Sequence, residues 1–452
     1  MVAPPARGMS HRDVVRALSV PRDRDRVVTI QDRRLREIVR HAYETVPFYR
    51  RLFDREGLSP REVRGVEDLT SIPIIAKEDL RAVSLAERME RGTNPDSLLM
   101  LRTSGSTGRP FEIRRTLTEA RLLYLHHIRS RRQYGLRLRD RDVRVADAPV
   151  EGRRAPTMWR SQKRLGIYRR QFVSCFQSPD AMAREIERYR PDSVSGYAVP
   201  LARVAPLLEG GGYPGIRPRY VAAGGEPLLP HARRRIARGF RAPVFDVYGT
   251  MEFGLVAWEC PQGGPFHTCD DGVIVEVVRD GVPVAAGERG EVVVTGLLLK
   301  TVPFIRYRVR DIATRGAETC ACGQPFSTLS EIQGRALHYL AVPGIGWMHP
   351  FELTGPLIEH ETDWIDQFQL VQESESRLQL RISPLHAPTR EAIQRIEKLA
   401  LDKLGSGIHF ETELVDELPP DPSGKFRPFV SLLPDAEPEL DVSDLVRRGE
   451  SS

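Results

Sequence analysis

No apolar run among the 452 residues approaches the roughly 18 needed to cross a bilayer, so a membrane partner is not expected. The opening stretch MVAPPARGMSHRDVVRALSV lacks the apolar core of a secretory signal, because Arg and Asp interrupt it, and a cytoplasmic chain is expected. Cysteine is sparse and odd in number at five, which fits a disulfide framework poorly and turns attention to metal ligation by reduced thiols. Lysine is scarce beside arginine. The net charge of +6 is scattered through RRLREIVR, RSRRQYGLRLRDRDVR and HARRRIARGF rather than gathered into a stripe. With no zinc-finger, helix-turn-helix or RNA-binding signature beside it, that scatter reads as solvated helix faces, and no nucleic-acid partner is expected.

What is present is a globular composition, 40% apolar, in a chain long enough for two or three domains. Leu35, Ile38, Val39, Ala42 and Val46 recur at helical spacing and run into VPFYRRLF, and Pro73 precedes a short helix start in SIPIIAKEDLRAV. From about residue 97 to 330, short β-rich runs (DSLLMLRTS, DVRVADAPV, SVSGYAV, RYVAAGG, APVFDVYG) alternate with helical ones, the signature of a mostly parallel sheet with helical cover. Between 273 and 315 the pattern becomes hairpin-like, with VIVEVV and EVVVTGLLL around the turn GVPVAAGERG. Beyond 336, two strands, the amphipathic helix TREAIQRIEKLALDKL and a further strand read as a small α+β domain. The expected fold class is therefore α/β, with domains over 1–334 and 335–435 and an acidic, Pro-containing tail over 436–452.

The segment LRTSGSTGRP is an apolar strand entering a loop of small and hydroxyl residues. Gly105 and Gly108 let backbone N–H groups approach a phosphate, and Ser104, Ser106 and Thr107 add hydroxyl donors. Taken alone, the loop reads equally as an ordinary Ser/Gly turn. It carries no Walker lysine, which disfavours a conventional P-loop ATPase.

TSGSTGRP resembles the phosphate-binding signature of the adenylate-forming superfamily, and the rest of the chain resembles its phenylacetate-CoA ligase-like and capsule-biosynthesis-like branch in order. HAYETVPFYRRLF and IPIIAKEDLR are similar to its opening segments, VSGYAVPLARVA and AAGGEPL to its nucleotide pocket, and VYGTMEFG to its tyrosine-glycine-x-x-glutamate motif. TVPFIRYRVRD, IQGR, QFQLVQES and LPPDPSGKFRPFV are similar to its ribose strand, hinge and C-terminal catalytic loop. The implied fold is a large N-terminal adenylate-forming domain with layered sheets and helices, followed by a small mobile lid. The implied activity is AMP-forming ligation, with ATP, Mg2+ and a carboxylic acid, aryl acids among the candidates, as reactants and coenzyme A as acceptor.

The resemblance carries roles onto individual residues. Thr103, Ser104, Gly105, Ser106, Thr107 and Gly108 would hold the β- and γ-phosphates. Gly224, Gly225 and Glu226 would line the adenine, Tyr248 beside Gly249 would stack on it, and Glu252 would help hold magnesium. Asp311 would accept from both ribose hydroxyls, a natural task for a carboxylate. Arg335 would mark the hinge, and Lys425 would reach the α-phosphate and the acyl carboxylate, where a point charge lowers the cost of bringing two anions together. Lys77 matches a nucleotide-side lysine less closely. For each residue a plain alternative stands: Tyr248 as a core aromatic, Asp311 as a partner for nearby arginines, Lys425 as a solvated loop residue.

Cys260-x6-His267 and Cys320-x-Cys322 supply four soft or borderline ligands in two pairs beside turn residues, a set that suits a closed, tetrahedral, structural zinc site. The alternative is the same four groups without a metal. The branch resembled commonly carries this arrangement. Cys269 is a spare nearby candidate, and Cys175 in FVSCFQ reads as a core residue.

Two departures from the branch bear on function. Met251 stands where a Thr or Ser usually precedes the motif glutamate, and Gly334-Arg335-Ala336-Leu337-His338 lacks the usual acidic hinge. Coenzyme A is consequently a less secure expectation than adenylation. An amine acceptor and a catalytically retired nucleotide-binding scaffold are the alternatives, the intact Lys425 loop arguing against the latter. Met251, Tyr197 and Ala223 are expected to border the acyl pocket. Neither the identity of the acid nor the oligomeric state is legible in the sequence.

Overall fold

The structure, a computed structural model, describes residues 10–102, 111–147, 164–335, 340–359, 364–405, 407–421 and 424–433. The chain is mixed α/β and divides into two compact units, each discontinuous in sequence. The first comprises Met1–Arg139, Gly152–Tyr168 and Phe245–Gly334; the second comprises Asp140–Glu151, Arg169–Val244 and Arg335–Ser452. Among the described residues no helix is long and apolar enough to cross a membrane.

In the first unit, the helix Arg24–Thr45 starts at Asp23, whose carboxylate accepts the N–H of Arg26 at 2.9 Å. It buries Val27, Leu35, Ile38, Val39 and Ala42 on one face, as the helical spacing predicts. Burial of each large apolar side chain stabilises by about 1.5–3 kcal/mol. The next helix, Pro47–Arg55, opens on proline, where a missing N–H costs nothing. Its Tyr49 is fully buried and ties it to a distant loop, donating to the Pro303 carbonyl at 3.0 Å and accepting the Ile305 N–H at 2.9 Å.

The antiparallel region expected between 273 and 315 is present. Val273–Arg279 pairs with Arg289–Gly296, which pairs with Tyr307–Arg315. Val292, Val293 and Val294 are all inaccessible, so this strand is covered on both faces and reads as a continuous apolar run rather than an alternating one. A further antiparallel set joins Gly254–Glu259 to Phe266–Thr268 and Phe266–Thr268 to Thr328–Arg335.

In the second unit, four parallel strands lie in the order Arg169–Ser174, Arg141–Ala146, Ser193–Gly196, Val221–Gly224. The helices Pro179–Tyr189, Ala198–Glu209 and Pro230–Phe240 cover them, and Val143, Val145, Val194 and Val221 form a core with Ile186, Leu201, Val204 and Ile236. The C-terminal part is built on Ile365–Ser374, antiparallel to Arg377–Pro384, with His409–Leu414 and Phe429–Ser431 added in parallel at the two edges. The helices Pro350–Glu359 and Arg390–Leu404 close its core around Leu370, Leu380 and Ile396. Within this unit Arg235, almost buried, donates to the carbonyls of Ile365 and Asp366, and Arg203 lies 3.6 Å from the Asp366 carboxylate.

Candidate active site

In the first unit the motif VYGTMEFG forms a hairpin. The strand Val244–Thr250 meets Gly254–Glu259 with a register shift between Tyr248 and Gly249, a bulge that re-aims the side chains around it. Thr250 pairs with Gly254, leaving Met251, Glu252 and Phe253 in the turn. Phe253 anchors that turn: it is buried, with its ring 5.7 Å from Phe304 and 6.1 Å from Tyr307. Met251 is 39% exposed at the tip and Glu252, next to it, only 8%. The Tyr307 hydroxyl donates to Glu252 at 3.5 Å, and the Arg115 guanidinium donates to the Met251 carbonyl. Burial pushes Arg115 down to about 10, with Glu119 and Glu252 opposing it, so it stays a cation at neutral pH. Tyr248 donates from its hydroxyl to the Asp311 carboxylate, bringing together two residues that lie 63 positions apart.

In the second unit the strand Val221–Gly224 ends in the Gly224-Gly225-Glu226 turn. Gly225 has a φ of +83°, and a Cβ there would lie 2.9 Å from the Tyr197 ring, so only glycine fits both the backbone and the space. Glu226 is 8% exposed, and its carboxylate accepts two backbone N–H groups, from Val199 at 3.0 Å and from Phe426. Burial raises its carboxyl to about 7 against the opposing pull of those two donors. The Lys425 loop is folded around Asp421. The Asp421 carbonyl accepts the Gly424 N–H at 2.8 Å, its carboxylate accepts the Lys425 N–H at 3.2 Å, and the Arg427 Nε donates to it at 3.2 Å. Lys425 Nζ sits 5.8 Å from the centre of the Tyr197 ring.

The metal-ligand set also converges. The donor atoms of Cys260, His267, Cys320 and Cys322 all lie within 4.8 Å of one another, Cys322 Sγ being 3.3 Å from His267 Nε2 and Cys320 Sγ 3.9 Å from Cys260 Sγ. The chain brings them together by clipping the hairpin that holds Cys260 and His267 to the loop between Tyr307–Arg315 and Thr328–Arg335. Burial pushes His267 down to about 4, leaving the neutral imidazole that a metal needs.

Of the residues singled out in the sequence, Thr103 to Gly108 and the hinge positions 336–338 lie outside the described residues. Arg335 ends the strand Thr328–Arg335, and Lys77 begins the short helix Lys77–Arg81 with Nζ 5.8 Å from the Phe111 ring. Ala223 is inaccessible beneath Gly224. Cys269 groups not with Cys320 and Cys322 but with His126, its Sγ 3.3 Å from Nδ1. Arg115, which flanks Glu252, carries no motif signal, and Tyr307 lies within TVPFIRYRVRD without having been singled out. A depression of about 520 Å³ lined by Arg16, Arg22, Arg26, Arg33 and Arg34 in the first unit includes none of these residues.

The fold is shared with CoA ligases of known structure. A crystal structure of 2-hydroxyisobutyryl-CoA ligase in the postadenylation state superposes with a TM-score of 0.73 at 20% identity, over 95% of this chain and 92% of that one. Residues 352–431 match the family model described as the CapK C-terminal domain. The phenylacetate-coenzyme A ligase of Escherichia coli (strain K12) is 28% identical over 349 residues, 75% of this chain and 77% of that protein. Protein CapK of Staphylococcus aureus is 21% identical over 413 residues, 88% of each chain. Over most of its length the chain is thus similar to phenylacetate-coenzyme A ligases and to protein CapK, and its residues 352–431 match the CapK C-terminal domain.

Proposed function

We propose that this chain is an AMP-forming acid-CoA ligase. A carboxylate is a poor electrophile because oxide would have to leave. Attack of its oxygen on the α-phosphorus of ATP forms the acyl-adenylate and releases pyrophosphate; attack of a thiolate on the acyl carbon then forms the thioester and releases AMP. The enzyme's task is to position and neutralise. Lys425 is assigned to the α-phosphate and the acyl carboxylate, Asp311 to the ribose hydroxyls, Tyr248 with Gly224 and Gly225 to the adenine, and the loop Thr103–Gly108 to the outer phosphates. Residues 335–435 act as the lid that separates the two half-reactions, with Arg335 at its hinge. The single observation that best supports this reading is the seating of Lys425: a flexible cation is held by its own loop on the ring that packs Gly225.

Glu252 suits a magnesium ion that keeps most of its ligands from phosphate oxygens. Among the described residues this nearly buried carboxylate accepts one long hydrogen bond, from Tyr307 at 3.5 Å. The ion would supply neutralisation of the departing pyrophosphate. Cys260, His267, Cys320 and Cys322 suit zinc: the edges of a tetrahedral thiolate site are about 3.7 Å for Zn–S bonds of ~2.3 Å, close to the separations above. Among the described residues His267 Nδ1 is buried without a hydrogen-bond partner, and the ring packs against Trp258. No ligand position is left for substrate, and the role is to clip the β region together.

Pyrophosphate release from ATP across aryl, aliphatic and amino acids, with coenzyme A or an amine added, tests the reading. Release with one acid class and a thioester product that requires coenzyme A is the expected outcome. Product formed on the amine instead would reassign the acceptor, and ATP binding without turnover on any acid would mark a retired scaffold.

A further inference from the structure

The resemblance assigns Glu226 to the adenine, yet its carboxylate is occupied on both oxygens by the protein's own backbone. Oε2 accepts the Val199 N–H and Oε1 accepts the Phe426 N–H. Val199 lies in the first turn of the helix Ala198–Glu209, whose N-cap, Tyr197, offers no side-chain cap. An uncapped first turn leaves backbone donors and the positive end of the helix dipole unmet. Glu226, reaching from another loop 27 residues away, meets both needs. Its other oxygen holds the residue that follows Lys425.

The surrounding contacts show how closely this loop is seated. At Gly424, with φ of +76°, a Cβ would lie 2.4 Å from Cys175 Sγ and 3.3 Å from the Phe176 ring, so the loop backbone rests directly on the Cys175–Phe176 turn. Phe426 is buried, and Lys425 is directed over Tyr197, the residue that begins the helix Glu226 caps. Asp421 organises the loop internally, and Glu226, a charged side chain from outside the loop, bonds to its backbone beside Lys425. A fixed carboxylate that stays capped onto a helix can give up and recover the Phe426 N–H without becoming an uncompensated buried charge.

We infer that Glu226 is a positioning residue for adenylation, a helix-anchored catch that holds the backbone at Phe426 and so places Lys425 for the first half-reaction. This rests on the proposed two-step ligase reading. It predicts a split that an adenine contact would not give. Adenine binding would act on the KM for ATP and on every step that retains the nucleotide; a catch acts on kcat for adenylation alone.

The test uses the full-length enzyme and Glu226→Gln, which keeps the shape and one acceptor oxygen, with Glu226→Ala as a second variant. Loss of a hydrogen bond to a charged acceptor corresponds to about a 10- to 100-fold change. For Glu226→Gln the expected result is a fall of that size in kcat for acid-dependent pyrophosphate release, with KM for ATP within about threefold. Transfer to coenzyme A from chemically prepared acyl-adenylate is expected to fall by a factor at least tenfold smaller. Amide exchange at 424–429 is expected to accelerate in both variants. Equal losses in both half-reactions, a raised KM for ATP at unchanged kcat, or unaltered exchange at Phe426 would each overturn the inference. Wild-type enzyme that adenylates no acid would overturn the ligase reading instead, while exchange at Phe426 would still decide whether Glu226 holds the loop.

Discussion

Two clusters in the first unit look alike on paper and differ in kind. Cys260, His267, Cys320 and Cys322 form one; His126, Cys269 and Asp271 form the other, and in each the donor atoms lie within 4.8 Å of one another. His267 and Cys269 are only two residues apart in the chain. The environment separates them. The groups acting on the first set are burial, backbone N–H donors and the other thiols. In the second, Arg129 donates to both Asp271 oxygens at 2.7 and 2.6 Å and to Cys269 Sγ at 3.4 Å, and Arg34 donates to the Asp271 carbonyl. A cation about 4 Å from a guanidinium meets roughly 4 kcal/mol of repulsion per pair of unit charges at an effective dielectric of 20. The second cluster already holds its cation, and that cation is arginine. Ligand composition therefore nominates a metal site, and the charge around it decides.

The largest effect that would sharpen this contrast is removal of the thiol pair. Cys320→Ser with Cys322→Ser is expected to abolish bound zinc, measured as metal per chain, and to lower the melting temperature by more than about 10 °C. Retention of one zinc per chain in that variant would dissolve the distinction between the clusters. Cys269→Ser should keep the metal.

Next in size is Arg129→Met, which leaves Asp271 as a buried carboxylate short of its main partner. Denaturant unfolding should report a loss of about 3–5 kcal/mol with zinc content unchanged. A loss below about 1 kcal/mol would mean that the pair is not the organising contact of this region.

A smaller effect concerns pH. Burial works to raise the Asp271 carboxyl, but Arg129, His126 and Arg34 outweigh it and hold the group below its usual 3.8; burial pushes His126 from 6.5 down to about 3. Both groups take up protons more readily when unfolded, so both contribute stability at neutral pH that is lost on acidification. His126 acts from about pH 6.5 downward and Asp271 below about 4. The stability gap between wild type and Asp271→Asn should accordingly narrow as pH falls from 5 towards 3. A gap independent of pH over that range would show that the native carboxylate is not held ionised.

Local patterns in the sequence were enough to find some elements and insufficient for others. Arg24–Thr45 was legible because its buried face is apolar. Leu117–Gln133 was not, because it buries Glu119, His126, Arg129, Ser130 and Arg131 and so hides the helical period. Two of them find their main partners far away: Glu119 accepts the N–H groups of Lys300 and Thr301, and Arg129 reaches Asp271, 142 positions on. Pro350–Glu359 carries Gly355 and Pro356 within it and gave no helical signal. At the site, the residue types were readable from their motifs, but their partners were not. Glu226 is joined to Phe426 across 200 residues, and Arg115 to Met251 across 136. Such pairings depend on how strands order themselves in a sheet, which a linear pattern does not encode.

The central claim is that Lys425 serves the chemistry of adenylation rather than the hold on ATP. The most direct measurement is acid-dependent pyrophosphate release by wild type and Lys425→Ala, with ATP affinity measured on the same preparations. The predicted result is a fall in release of at least about 100-fold with ATP affinity changed less than about threefold, in keeping with removal of a charge that acts at the transition state. Release at the wild-type rate in Lys425→Ala would contradict the account.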